Sequence, residues 1–258
     1  MPLDFNFVTF NIRYGTADDG PDSWRWRAGR CEAQIRQLQP DVLCVQEALR
    51  LQVNYLLERF PEFDFTGIGR EDGAAEGEHA GIFTRHDRFR VLKSGTFWLS
   101  STPEVPGSAD WGDSNVRVCT WARLGCVEDA RELVVFNTHL AVVSQAARER
   151  GVALILERLA GMDGKAPAVV AGDFNADETN PVCDLMSRAG FRDSYRQIHA
   201  TGVAPTYNGF LETPEPGKID YIWVTPSVEV IAAEVVAQKF EGRWPSDHFP
   251  VTAKLSLS

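Results

Sequence analysis

The sequence predicts an α/β protein folded as a four-layered sandwich, with two β-sheets packed face to face and helices on their outer faces. Three observations predict it. Short apolar runs rich in Val, Ile and Phe alternate with stretches whose apolar residues recur at three- and four-residue spacing. Several consecutive runs look joined by turns and not by helices, which suits two packed mixed sheets. No internal repeat, low-complexity tract or linker divides the 258 residues, so residues 1–258 are read as a single domain.

The first run, Phe5 to Ile12, alternates and is rich in Phe, Val and Ile, as a strand is. Thr16 to Ser23 is a loop of Gly, Asp and Pro. From Trp24 a helix follows, with Ala28, Cys31, Ile35 and Leu38 on one face and Pro40 as its stop. Val42 to Gln46 reads as a short buried strand, and Val53, Leu56, Leu57 and Phe60 as the inner face of a second helix. Residues 66–80, rich in Gly, Glu and Ala, read as an exposed loop. Gly81 to Thr84, Arg90 to Leu99 and Val116 to Leu124 are strands. Between the last two, Ser100 to Ser114 is long for a loop in a compact domain, and such loops are commonly functional or mobile. Leu133 to Thr138 is a strand, and Gln145 to Leu159 a helix with Val152, Ile155, Leu156 and Leu159 inward. Ala168 to Ala171 is a strand, Pro181 to Ala189 a helix, and the strands Ile219 to Val224 and Val251 to Leu255 close the set.

Composition sets bounds on function. A hydrophobic content of 44% and a charged content of 24% are those of an ordinary globular protein with a large core. The formal net charge of −10 argues against an extended duplex-binding surface, because such binding is dominated by Lys and Arg on backbone phosphates. It does not exclude a nucleic acid substrate, since bound cations invert the field of an acidic cleft. The five cysteines, Cys31, Cys44, Cys119, Cys126 and Cys183, form no Cys-x-x-Cys pair and read as buried free thiols in a reducing compartment. The segment Met1 to Phe5 has neither the basic region nor the apolar stretch of a signal peptide, and no apolar run approaches membrane-spanning length. The expectation is a cytoplasmic protein.

The chemistry sits where apolar runs end. The first run ends at Asn11, the second at Glu47, and the 133–138 run leads into His139. The 168–171 run leads into Gly172-Asp173-Phe174-Asn175. Asp220 lies within Lys218-Ile219-Asp220-Tyr221-Ile222, and Ser246-Asp247-His248 precedes the final strand. Carboxylates, amides and histidines at strand ends can converge on one cleft, and oxygen donors of this kind suit a hard cation such as Mg²⁺. Each also has a plainer reading. Asn11 can be a turn residue, Glu47 a solvated carboxylate, Gly-Asp-Phe-Asn an Asx-turn, Asp247-His248 a hydrogen-bonded pair and His139 a core histidine. Asp220 is harder to dismiss, because an unpartnered carboxylate in an apolar strand is costly.

Together these segments resemble the endonuclease/exonuclease/phosphatase superfamily. The resemblance is carried by Phe10-Asn11-Ile12, Val45-Gln46-Glu47, Asn137-Thr138-His139-Leu140, Gly172-Asp173-Phe174-Asn175, Ile219-Asp220-Tyr221-Ile222 and Ser246-Asp247-His248-Phe249-Pro250, in the family's order and across nearly the whole chain. It implies a DNase I-like sandwich with the active site at one end of the paired sheets, and a Mg²⁺ (or Mn²⁺) cofactor. It implies Glu47 as the main metal ligand, aided by Asn11 and Asp247, and Asp173 as the group that orients or deprotonates the attacking water. Asn175 would bond the phosphate or the nucleophile, and His248, oriented by Asp220, would stabilise charge on the phosphoryl oxygens. His139 would contact the phosphate or assist the leaving oxygen. These roles fit phosphoryl transfer, which asks for an in-line nucleophile and compensation of spreading negative charge.

Further segments are similar to an uncharacterised bacterial branch: Gly95 to Ser100 with Thr102-Pro103-Glu104, Cys119-Thr120-Trp121-Ala122, and Thr206-Tyr207-Asn208-Gly209-Phe210. The last resembles a run near the active site of deadenylase-related members, which makes Asn208 a candidate substrate contact. Arg117 is a candidate phosphate ligand or an exposed strand-end Arg. Trp98, Trp111 and Trp244 are candidates for a stacking rim or for simple packing. The DNA-repair members have other residues where this chain has Asn137-Thr138-His139, so an abasic-site endonuclease is disfavoured. The expected substrate is a small phosphate ester, a nucleotide or a short single strand. A nuclease on polymeric DNA or RNA is the alternative, and an inactive scaffold on the same fold is the alternative of another class.

Overall fold

Sheet-forming runs account for most of the apolar sequence because both faces of nearly every strand are covered. The computed structural model describes residues 2–162 and 166–258; Met1, the first residue of the amino-terminal segment read above, lies outside them. In chain order the elements are β1 (Leu3–Asn11), α1 (Trp24–Leu38), β2 (Val42–Ala48), α2 (Arg50–Arg59), β3 (Phe63–Thr66), β4 (His79–Arg85), β5 (Phe89–Trp98), β6 (Val118–Cys126) and β7 (Glu132–His139). Then come α3 (Gln145–Ala160), β8 (Ala168–Asp173), α4 (Pro181–Arg188), β9 (Arg192–Asp193), α5 (Ser194–Ile198), β10 (Asp220–Val224), β11 (Val228–Val235) and β12 (Val251–Leu257). Among the described residues the strands form two six-stranded sheets, ordered β11-β12-β1-β2-β4-β3 and β5-β6-β7-β8-β10-β9. The four-layered sandwich expected from the sequence is the architecture found.

Side-chain alternation assigns each residue to one of three apolar layers. Phe5 and Phe7 of β1 meet Val135 of β7 and Ile222 of β10 between the sheets. Val8 and Phe10, on the other face of β1, pack under α1 and α2 with Cys31, Ile35 and Val53. The second sheet does the same beneath α3 and α4, where Phe136 and Val170 meet Val152, Ile155 and Met186. Strands buried on both faces read as continuous apolar runs, which is why they were legible in the sequence. Local signals end the helices. Gln39 takes a left-handed turn after α1, just before Pro40. Ser144 caps α3 by accepting from the Ala147 N–H, and Asn180 caps α4 ahead of Pro181.

Four elements were not read in the sequence. β3, β9 and α5 have four, two and five residues, too short for periodicity to register. β11 has its register shifted between Val230 and Ala232, which breaks its alternation. Residues 66–80 are no simple exposed loop. β4 already begins at His79, which is buried with Nδ1 2.9 Å from the Ala48 carbonyl. All five cysteines are buried and free. No helix among the described residues is long and apolar enough to cross a membrane.

Candidate active site

Strand direction explains why the polar residues gather. β1 and β2 run parallel, as do β7 and β8, so their carboxyl ends deliver Asn11, Glu47, His139 and Asp173 to one edge of the sandwich. β4, β6, β10 and β12 run antiparallel to those neighbours, so their starts face the same edge with Glu78, Arg117, Asp220 and His248. Just below, the layer between the sheets turns polar. The Gln46 amide donates to Thr9 Oγ1 at 3.0 Å and to Asn137 Oδ1 at 2.6 Å, while the Asn137 amide donates to the carbonyls of Val45 and Gly81 at 2.9 and 2.8 Å. Asn137 thus ties β7 to β2 and β4 directly under the site.

Backbone conformation sharpens the edge. Arg13, Glu47 and Asn175 all have positive φ, a cost tolerated where surrounding structure holds a functional side chain in place. Gly172, at φ +136°, lets β8 approach β7 so closely that a Cβ there would lie 1.9 Å from the Thr138 carbonyl oxygen. That approach sets Asp173 opposite His139 in register.

Asp173 is the centre. Its Oδ2 accepts from Asn11 Nδ2 at 3.0 Å and its Oδ1 from the Asn175 N–H at 2.9 Å. His139 Nε2 lies 3.5 Å and His248 Nε2 3.8 Å from Oδ2. On its other side His248 places Nδ1 2.9 Å from Asp220 Oδ2, which fixes the ring. Asn11 Nδ2 also donates to Glu47 Oε1 at 3.0 Å, and Glu47 Oε2 accepts from the Tyr14 N–H at 3.1 Å. A cleft of about 600 Å³ exposes Glu47, His139, Asp173, Asn175, Asp247 and His248 together.

Electrostatics separate the two histidines. Burial raises Asp173 to about 7, with the Asp220 carboxylate adding and His248 opposing. His248 is pushed well above the imidazole range: burial alone would lower it, but the carboxylates of Asp220 and Asp173 outweigh that. His139 is held well below that range by burial and by the cations of Arg117, Arg70 and His248. The two rings beside the same carboxylate are thus shifted in opposite directions.

Most of the residues expected from the sequence meet here. Asn11 presents its NH₂ to Glu47 and Asp173 while its oxygen accepts from the Arg13 N–H, so it bridges two carboxylates. Asn208 is buried: its NH₂ donates to the Ser246 carbonyl and its oxygen accepts from the Phe210 N–H, which shapes the Ser246–His248 loop. The three tryptophans pack. Trp98 is buried and donates to the Arg70 carbonyl, Trp111 lies against the α3 layer, and Trp244 donates to the Leu211 carbonyl and packs on Phe249. Arg117 is buried and does line the cleft. The sequence reading missed Glu78, Arg70, Arg13 and Tyr207, which line it as well. Arg13 adjoins a motif already noticed. Glu78 and Arg70 hid in a Gly/Glu-rich stretch whose composition gave no sign of fixed structure.

The same motifs decide the family. The model of the Endonuclease/Exonuclease/phosphatase family matches residues 8–248, which hold the first five segments whole and the sixth as far as His248. The chain belongs to this family. A member of the endonuclease/exonuclease/phosphatase family from Bacteroides vulgatus is 35% identical in its crystal structure, over 99% of this chain and 100% of that one, with a TM-score of 0.94. The mannosyl-6-phosphatase of Bacteroides thetaiotaomicron is 31% identical over 97% of this chain and 99% of that one, with a TM-score of 0.91. Mouse Nocturnin is 24% identical over 94% of this chain, which spans 62% of Nocturnin's length. The superfamily and the bacterial branch expected from the sequence are both met.

Endonuclease/exonuclease/phosphatase enzymes generally use a divalent metal, and the donors in this cleft fit one. Burial raises Asp247; His248 opposes this, and the neighbouring Glu47 carboxylate adds to it. Two carboxylates crowded in this way favour a hard cation between them. A second cluster, Asp173, Asp220 and His248, has donor atoms within 4.8 Å of one another. Within it Asp220 Oδ2 is already engaged with His248 Nδ1.

Proposed function

We propose that this chain is a Mg²⁺-dependent hydrolase of phosphate esters, with a small ester, nucleotide or short single strand as substrate. The observation that carries the reading is Asp173. It is held by Asn11 and the Asn175 N–H and has two imidazoles within 3.8 Å of one oxygen, at the floor of a cleft edged by Glu47 and Asp247. Water's oxygen bonds to phosphorus while the bond from phosphorus to the alcohol oxygen breaks, and the leaving oxygen takes a proton from solvent, giving alcohol and phosphate. Asp173 takes the water proton, Asn175 holds the nucleophile or a phosphoryl oxygen, and the His248 imidazolium stabilises the charge spreading over the phosphoryl oxygens. Neutral His139 contacts the phosphate from the opposite wall. Glu47 and Asp247 would hold the cation, which supplies Lewis acidity toward the phosphoryl oxygen.

The mannosyl-6-phosphatase likeness supports a small substrate, and the net charge of −10 supports the lack of an extended duplex surface. Buried, unpaired thiols support a reducing compartment such as the cytoplasm. The test is product release with Mg²⁺ or Mn²⁺ from sugar phosphates, nucleotides, inositol phosphates, single-stranded RNA and duplex DNA. Cation-dependent turnover lost in both Asp173→Ala and His248→Ala is expected. Turnover that survives in both variants means the residues are wrong. Preferential cleavage of long strands would favour the nuclease, and cation binding without any turnover would favour the scaffold.

A further inference from the structure

The cleft has two unlike ends, set by strand order. Across the edge the strand ends run from β4 and β6, through β2 and β7 and then β1 and β8, to β12 and β10. The first end is a basic wall. Arg117 is 7% exposed, its Nε and Nη1 are buried without a hydrogen-bond partner, and Asp113 Oδ2 at 3.9 Å from Nε is too distant to provide one. Arg70 is fixed beside it. Its carbonyl accepts from Trp98 Nε1 at 2.6 Å, its N–H donates to the Glu78 carbonyl at 3.1 Å, and its guanidinium bonds Glu78 at 2.6 Å.

The wall is solid behind these groups. The loop before β4 and the long loop after β5 press together: a Cβ on Gly73 would lie 3.2 Å from both Trp98 and Pro106, and one on Gly107 would lie 2.7 Å from the Glu71 carbonyl oxygen. The opposite end carries Tyr14, Tyr207 and the exposed Val143, and Arg13 there is already held by Asp19 at 3.1 Å, with Asp247 at 3.6 Å.

We propose that this cleft selects phosphate monoesters, which enter with the phosphate toward Arg70 and Arg117 and the alcohol in the open part. The proposal rests on the hydrolase reading and narrows it. A terminal phosphate offers three non-bridging oxygens and up to two charges to the two guanidiniums. A diester offers two such oxygens and one charge, and its second alcohol arm has to pass the wall. Hydrolysis of the monoester takes one water and yields the alcohol and inorganic phosphate.

The experiment compares kcat/KM for a hexose 6-phosphate, a 5′-nucleotide and p-nitrophenyl phosphate with that for their methyl diesters, each with Mg²⁺. The wild type should favour monoesters by about 100-fold, the value of two charge-assisted hydrogen bonds. Arg70→Gln should lower monoester kcat/KM about tenfold or more, narrow that preference and weaken inhibition by inorganic phosphate. Arg70→Lys should recover part of the loss, and thermal unfolding of each variant checks the fold. Arg117→Lys, which keeps the charge but loses the fork, should also narrow the preference. Equal or greater turnover of diesters, or a preference unchanged in all variants, overturns the proposal while leaving a hydrolase. Absence of cation-dependent turnover on every ester removes the hydrolase reading and this proposal with it.

Discussion

Asp173 is both the most useful and the least comfortable carboxylate in the chain. Burial raises it to about 7, so the folded protein binds its proton more tightly than the unfolded chain does. Stability from this group is therefore lost as pH rises from the usual carboxylate range through about 7. Asp173→Asn removes the base and the buried charge together. Turnover should fall about 10²- to 10⁴-fold, whereas thermal stability at pH 8 without added cation should rise. A variant less stable than wild type under those conditions would contradict the electrostatic account. His79 has the opposite linkage. Burial lowers it to about 4, with Arg50 adding, so the unfolded chain gains a proton first. Its contribution is complete above the unfolded imidazole value and is lost as pH falls toward 4. The loss reaches about 3 kcal/mol at most. His79→Gln should flatten the urea-unfolding stability curve across that window relative to wild type.

At the scale of elements, the loop before β12 is held by the Thr206–Phe210 segment as well as by the end of β1, where Ser246 Oγ donates to the Asn11 carbonyl at 2.8 Å. The N–H groups of Asn208 and Gly209 donate to the Asp247 carbonyl at 2.7 and 3.0 Å, and the Asn208 amide reaches Ser246 at 3.1 Å. Thr206 Oγ1 accepts from the Ile219 and Asp220 N–H groups, so one short segment positions both Asp247 and Asp220. The resemblance made Asn208 a substrate contact, and in the folded chain its amide is bonded to the loop that carries Asp247. Its amide disappears into backbone bonds that only the folded loop supplies. Asn208→Ala should therefore weaken Mg²⁺ binding, read by calorimetry, about tenfold or more. Unchanged cation affinity with a raised KM would return Asn208 to the substrate. The six motifs were legible because their strands are buried on both faces and end abruptly in polar residues. Arg70 and Glu78 were not, because their fixed positions come from Trp98 and from each other across a stretch of unremarkable composition.

For the whole molecule, the proposed cation dependence goes with its acidity. With a net charge of −10 the protein should bind duplex DNA weakly, with little dependence on salt beyond that of the cleft itself. Removing divalent cations with EDTA should abolish turnover and Mg²⁺ should restore it. Added Mg²⁺ should also raise the unfolding temperature, because a ligand that binds the native state alone stabilises it by mass action. Turnover that persists in EDTA would rule out the donor set of Glu47 and Asp247.

The sequence by itself determined the class of fold, the family and the chemical types gathered at the site. Those depend on periodicity and on short motifs, which are local properties of the chain. The tertiary structure decided who touches whom. The two sheets bring Asn11 to Asp173 across 162 positions and Gln46 to Asn137 across 91. It shifted His248 and His139 in opposite directions, although the two rings share a carboxylate. It also raised the basic wall of Arg70 and Arg117 at one end of the cleft. Burial and the field of distant charges set all of these, and neither exists until the sheets have closed on each other.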